Sequence, residues 1–210
     1  MKSIFLTTST ILAYCIVGCA MTIVNKLVMQ KFPYPNFILV LQCIATIFLV
    51  CVAEYFVPSF TGKVQKLEHK IVKKWLGLTI LFVCMLLSSM SALETVSIPT
   101  VIVMRNLATI VTAILDVMFL KTNLSWGEGT SILVMLMGAY WYGRKDMNFS
   151  PTGYVWLGIN VMSTSLYQVY VKYLVKVTQL NSSSMTYYNN MLCLPFLLCG
   201  CHIGSEFKVV

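Results

Sequence analysis

The sequence predicts an all-α membrane protein, a polytopic bundle of about seven transmembrane helices. Three observations lead there. Apolar residues make up 58% of the 210 residues and charged residues only 10%; a water-facing globule carries about a quarter charged residues. Seven apolar stretches approach the roughly 20 residues that a helix needs to cross a hydrocarbon core of about 30 Å. Period-two alternation is absent, so a transmembrane β-barrel is not the expectation.

The spans fall at roughly 7–29, 37–58, 75–93, 98–120, 129–143, 153–175 and 184–203. The first has too long an apolar run for a signal peptide, and no A-x-A-like cleavage site follows it. It reads as a signal anchor or a first spanning helix. The fifth is short and carries Gly138. The sixth is interrupted by Asn160, Ser163, Thr164, Ser165 and Gln168. Those polar positions predict helices that face protein or a water-filled cavity rather than lipid all round.

Loop charge sets the orientation. The net charge is +8. With the N-terminus in the cytosol, that side holds Lys2, Lys63, Lys66, Lys70, Lys73, Lys74, Lys121, Lys172 and Lys176. The other side holds Lys31, Arg144, Lys145 and Lys208. The positive-inside rule favours a cytosolic N-terminus. The basic loop 59–74 dominates this count and reads first as a topological determinant, and second as a lipid-headgroup site. The N-x-S triplets at Asn123 and Asn181 then fall on the cytosolic side, and Pro151 follows the one at Asn148. All eight cysteines lie inside spans, which predicts small apolar residues and no disulfide framework. Cys199, Cys201 and His202 form too sparse a set for a zinc site, so no metal or other cofactor is expected.

Polar residues inside spans carry the functional expectations, because burying them in lipid is costly. Arg105 lies about two turns into the fourth span, followed by Asn106, with Thr109 and Thr112 at helical spacing. A guanidinium fork suits phosphate oxygens; the alternative is a structural arginine tied to carbonyls or to a carboxylate. Asp116 shares that face and is expected to partner another helix, gate the cytosolic end or sit near the interface. Asn25 and Lys26 stand near the end of the first span, with Thr22 one turn earlier. Lys26 could equally snorkel, as Lys172 and Lys176 are expected to do. In the seventh span Tyr187, Tyr188, Asn189 and Asn190 form a polar-aromatic run. A nucleobase needs a face to stack on and amides matching its edge, and this run supplies both. An interfacial aromatic belt is the plainer alternative. VNKLV (24–28) and YVKYLV (170–175) place Lys26 and Lys172 five spans apart. An odd number of spans inverts a second copy, which is a transporter architecture.

Several segments together resemble nucleotide-sugar transporters of the drug/metabolite transporter superfamily, and most closely the GDP-mannose and GDP-fucose branch. TIVNKLV (22–28) is similar to the T-x-x-N-K pattern closing the family's first helix. VSIPTVIVMRNLATIVTAILDVMF (96–119) resembles its fourth helix, and FSPTGYVW (149–156) the start of its sixth. TYYNNMLCLPFLL (186–198) resembles its seventh, with the F-Y-N-N motif for the guanine nucleotide.

The resemblance implies a ten-helix fold of two inverted five-helix repeats, of which residues 1–210 would be one transporter domain. It also implies antiport of a GDP-sugar, GDP-mannose first, into the Golgi lumen against GMP. Tyr188, Asn189 and Asn190 would contact the nucleotide, and Arg105, Asn106, Lys26 and Asn25 complete the expected site. Arg105 stands where GDP-mannose transporters often have Lys. No match to the eighth-helix motif G-A-L-N-K occurs, so a fragment, a truncated gene model or a short form is expected. The partners expected are a nucleotide sugar, a nucleoside monophosphate and membrane lipid, with a homodimer the oligomer considered and no nucleic acid. The alternatives are a UDP-sugar or sugar-phosphate cargo, a seven-span receptor, and a non-transporting regulatory or dimerising subunit. With no nucleophile–base constellation, an enzyme is not expected.

Overall fold

A computed structural model describes residues 2–56, 64, 69–121, 125–144 and 150–203. They form seven α-helices: α1 Lys2–Lys31, α2 Pro35–Phe56, α3 His69–Thr95, α4 Ile98–Leu120, α5 Trp126–Arg144, α6 Pro151–Thr178 and α7 Ser182–Ile203. The expected spans each fall within one helix to within a few residues. Four stretches, Thr7–Lys31, Pro35–Phe56, Trp75–Thr95 and Ile98–Leu120, are long and apolar enough on their own to cross a membrane. The other three helices carry the polar runs already noted, and α5 has only 19 residues.

The helix starts follow capping chemistry. Asn181 accepts from the backbone N–H of Ser184 at 2.8 Å, and Ser150 accepts from that of Gly153 at 3.3 Å. Both are N-caps that satisfy an otherwise orphaned donor. Asn181, read as a sequon, therefore has a structural role. Asn123 and Asn148 lie outside the described residues. At α5, Glu128 reaches back to the N–H of Ser125 at 2.8 Å, the reciprocal half of a capping box.

Cross-helix contacts fix the directions. Thr112 donates to Gln168 at 3.0 Å, Ser165 donates to the Ala108 carbonyl at 2.9 Å, and Asp116 pairs with Lys172. Position rises together on both chains, so α4 and α6 run parallel. Asn160 donates to the Met85 carbonyl at 2.9 Å, while a Cβ on Gly153 would meet Val96 and one on Gly77 would meet Tyr170. Position rises on α6 as it falls on α3, so these two are antiparallel. Cys43 touches Cys193 at 3.3 Å and Asn36 approaches Gly200, so α2 and α7 are antiparallel too. These directions are those of helices that alternate up and down. The end where α1 begins is called the near end below, and the end where it finishes the far end.

Gly153 shows how tightly α6 seats. A Cβ there would lie 2.2 Å from Val96 Cγ2 and 2.7 Å from Thr95 Oγ1, so only glycine fits. The polar interruptions of α6 do face protein: Ser163 and Ser165 are buried, and Asn160 and Gln168 bond to α3 and α4. The main core joins Met29, Leu39, Cys43, Leu93, Val101, Leu157, Cys193 and Leu197. A smaller cluster of Trp75, Leu78, Leu174 and Leu180 closes the near end between α3, α6 and α7. By contrast α1 buries only Thr22 and Met29 among its described side chains.

Candidate functional site

Two groups of polar residues emerge. The first lies towards the far end, between α1 and α4. Arg105 and Asn106 are exposed there, lining a groove of about 580 Å³ with Tyr14, Gly18, Thr22 and Ile102. The Arg105 guanidinium donates to the Thr22 hydroxyl at 3.4 Å. Among the described residues no carboxylate lies in ion-pair range of it, and Asp116 is engaged by Lys172 instead. Arg105 has five N–H donors and one long neutral contact here, so most of its fork faces the groove. Among the described residues, Arg105 donates to neither a backbone carbonyl nor a carboxylate.

Lys26 and Asn25, on the neighbouring turn of α1, are used differently. The Lys26 ammonium donates to the Leu93 carbonyl, to the Val96 carbonyl at 2.8 Å and to the Glu94 carbonyl at 3.5 Å. It thereby caps the carbonyl end of α3, where a cation is favoured by the helix dipole. Asn25 accepts from Gln42 at 2.9 Å and ties α1 to α2. Both positions are occupied by the protein itself.

The second group lies towards the near end, where α3, α6 and α7 meet. Asn189 is 4% exposed. Its carbonyl accepts from the Trp75 indole at 2.8 Å, and its amide donates to the Tyr167 hydroxyl at 2.6 Å. Trp75 is fully buried. Asn190 is also buried and donates to the Thr186 carbonyl on its own helix at 2.8 Å. Tyr188 packs against the small near-end cluster, edge-on to Tyr187 with ring centroids 5.3 Å apart. The structure thus brings Tyr188, Asn189 and Asn190 together, and separately Arg105 and Asn106. The two groups sit in opposite halves of the bundle.

Trp75 and Tyr167 were not singled out from sequence. One signal was legible: an indole N–H inside an apolar span must find an acceptor, and a nearby span offered two amides. Lys172 was expected to snorkel; it instead pairs with Asp116, because α4 and α6 lie side by side in parallel register. The eight cysteines are free thiols. Among the described residues no three His, Cys, Asp or Glu side chains converge as metal ligands.

An alternating bundle of apolar helices, with an arginine lining a groove and two adjacent amides buried in its thickness, defines the class as a polytopic membrane protein with the features of a solute carrier. The particular family follows from comparison with known proteins. A family model described as the Triose-phosphate Transporter family matches residues 6–202, and the chain belongs to that family. It is similar to a GDP-mannose transporter of Arabidopsis thaliana, 27% identical over 193 residues, covering 88% of this chain and 51% of the relative. It is similar to a GDP-mannose transporter of Scheffersomyces stipitis, 26% identical over 212 residues, covering 95% of this chain and 64% of that one. GDP-fucose transporter 1 of Arabidopsis thaliana is 27% identical over 210 residues, 97% of this chain and 59% of the relative. The chain therefore spans between half and two thirds of the length of these relatives. The likeness drawn from the motifs reappears in their names.

Proposed function

We propose that this chain carries the binding elements of a nucleotide-sugar transporter whose cargo is a GDP-sugar, GDP-mannose first, moved into the Golgi lumen in exchange for GMP. The N-terminus is cytosolic in this reading. The observation that carries it is Arg105, exposed in a groove between two apolar helices, with the Thr22 hydroxyl its one side-chain partner among the described residues. A groove-lining guanidinium of this kind suits the planar, bidentate recognition of a phosphate. Asn106 lines the same groove and adds an amide donor and acceptor.

Tyr188, Asn189 and Asn190 read the base. Asn189 can do so only by exchanging Trp75 and Tyr167 for the edge of the guanine. That exchange makes base binding a change of partners within the bundle, which is what alternating access around a central site needs. A ligand shifts such an equilibrium only through contacts that differ between the states. Lys26 and Asn25 hold the ends of α1, α2 and α3 against each other, and act on the nucleotide through that packing.

The family description favours a second reading, a phosphorylated sugar, because Arg105 would serve either cargo. Proteoliposomes separate the two. Vesicles holding the purified chain are preloaded with GMP, UMP or phosphate and offered labelled GDP-mannose, GDP-fucose, a UDP-sugar and a sugar phosphate. GMP-driven uptake of GDP-mannose, lost in the Asn189→Ala, Asn190→Ala double variant, is the expected result. Phosphate-driven uptake of the sugar phosphate would replace the GDP-sugar reading. Exchange of no pair by folded protein would overturn transport by this chain.

A further inference from the structure

Near-end features remain that neither group of polar residues uses. A crevice of about 480 Å³ opens between α3, α4 and α6. Gly77, Leu81, Phe119, Leu166, Tyr170 and Tyr173 line it. Phe119 and Tyr173 are largely exposed, so the crevice faces outward from the bundle. Gly77 forms part of its floor: a Cβ there would make ordinary contact with the Tyr170 ring and hydroxyl at 3.7 Å, and a longer side chain would enter the crevice. Each wall ends in a lysine at the same end of the bundle. Lys73 stands one turn before Gly77 on α3, Lys121 directly follows Leu120 on α4, and Lys176 stands three residues after Tyr173 on α6. All three are exposed. Asp116, one turn before Phe119 and Leu120 on α4, is paired with Lys172.

We propose that this crevice is a specific site for an anionic phospholipid, with one acyl chain against Gly77 and the tyrosines and the phosphate head group between Lys73, Lys121 and Lys176. Both halves of the argument are needed. An outward-facing apolar crevice alone would hold any acyl chain. Basic residues at a helix end alone would report topology. An apolar slot opening beside three lysines from three different helices matches the two parts of one amphiphile, and basic pockets between transmembrane helices are where anionic lipid head groups bind. The proposal is independent of the cargo.

The test uses the purified full chain, native mass spectrometry, and phosphatidylinositol or phosphatidylcholine with identical acyl chains as the probes. Phosphatidylinositol is expected to be retained selectively, each lysine contributing about a fivefold preference and the three roughly a hundredfold. The preference is expected to shrink as salt rises. The triple variant Lys73→Gln, Lys121→Asn, Lys176→Gln should bind both lipids alike and weakly. Gly77→Leu fills the crevice while favouring the helix, and should lose retention of phosphatidylinositol with the lysines intact. Circular dichroism of each variant checks that the helices are kept. Equal retention of both lipids by the unaltered chain would overturn the proposal. So would an undiminished preference in the triple variant, or in Gly77→Leu, since head-group attraction would then need no crevice. A lipid-free dimer burying this face would overturn it as well.

Discussion

At the α3–α6–α7 junction, Asn189 spends both ends of its amide on Trp75 and Tyr167. In the α1–α4 groove, Arg105 makes one long contact to Thr22 and faces the open space. Both are polar side chains placed about two turns inside apolar helices. The junction is satisfied by the protein in this arrangement, so its polar residues hold the fold until a ligand displaces Trp75 and Tyr167 from Asn189. The groove is not, so its arginine contributes little to the fold and is available to a ligand. A polar residue in a span is therefore a functional candidate to the degree that its neighbours leave it unsatisfied.

Substitutions can sharpen or break that contrast. The largest effect is expected where α6 seats on α3. Gly153→Val puts a side chain where a Cβ already overlaps Val96, and overpacking of this kind costs about 3 kcal/mol. Thermal unfolding in detergent should show a marked fall in midpoint; an unchanged midpoint would mean that α6 does not seat as described. Next comes Asn189→Leu, which strands the Trp75 indole N–H in a buried site. An unsatisfied buried donor costs about 2 kcal/mol. A variant that unfolds like the parent would move Asn189 from the structural side of the comparison to the ligand side.

Lys26→Met removes the cation at the carbonyl end of α3 and should lower stability by about 1 kcal/mol or less. Lost uptake with intact stability would show instead that Lys26 meets the cargo directly. The smallest effect on stability is expected for Arg105→Gln, within about 0.5 kcal/mol because the side chain is exposed. Its effect on GDP-sugar uptake should be large. If it lowered stability as much as Asn189→Leu, the groove would be a second structural junction and the contrast would disappear.

The seven helices were legible because the signal is local. Apolar runs of helix length, and Ser, Asn and Pro at their starts, state where each helix begins and which stretches avoid water. Residues 160–168 of α6 were also legible as protein-facing, since lipid cannot satisfy Asn160, Ser163, Ser165 and Gln168. Tyr188, Asn189, Asn190, Arg105 and Asn106 could be named for the same reason: their chemistry is out of place in an apolar span.

What each of them bonds to depended on the register between helices that are distant in sequence. Trp75 meets Asn189 across 114 residues, Lys26 meets the end of α3 across 70, and Lys172 meets Asp116 across 56. No local pattern encodes those pairings. They depend on how the helices seat on one another, as where Gly153 lets α6 approach Val96 at the end of α3. The sequence by itself determined the membrane class, the positions of the seven helices among the described residues and the short list of polar residues within them. Only the tertiary structure decided which of those residues are consumed in holding the bundle and which are left facing a groove, because a hydrogen bond is settled by a few tenths of an ångström between chains that the local sequence does not relate.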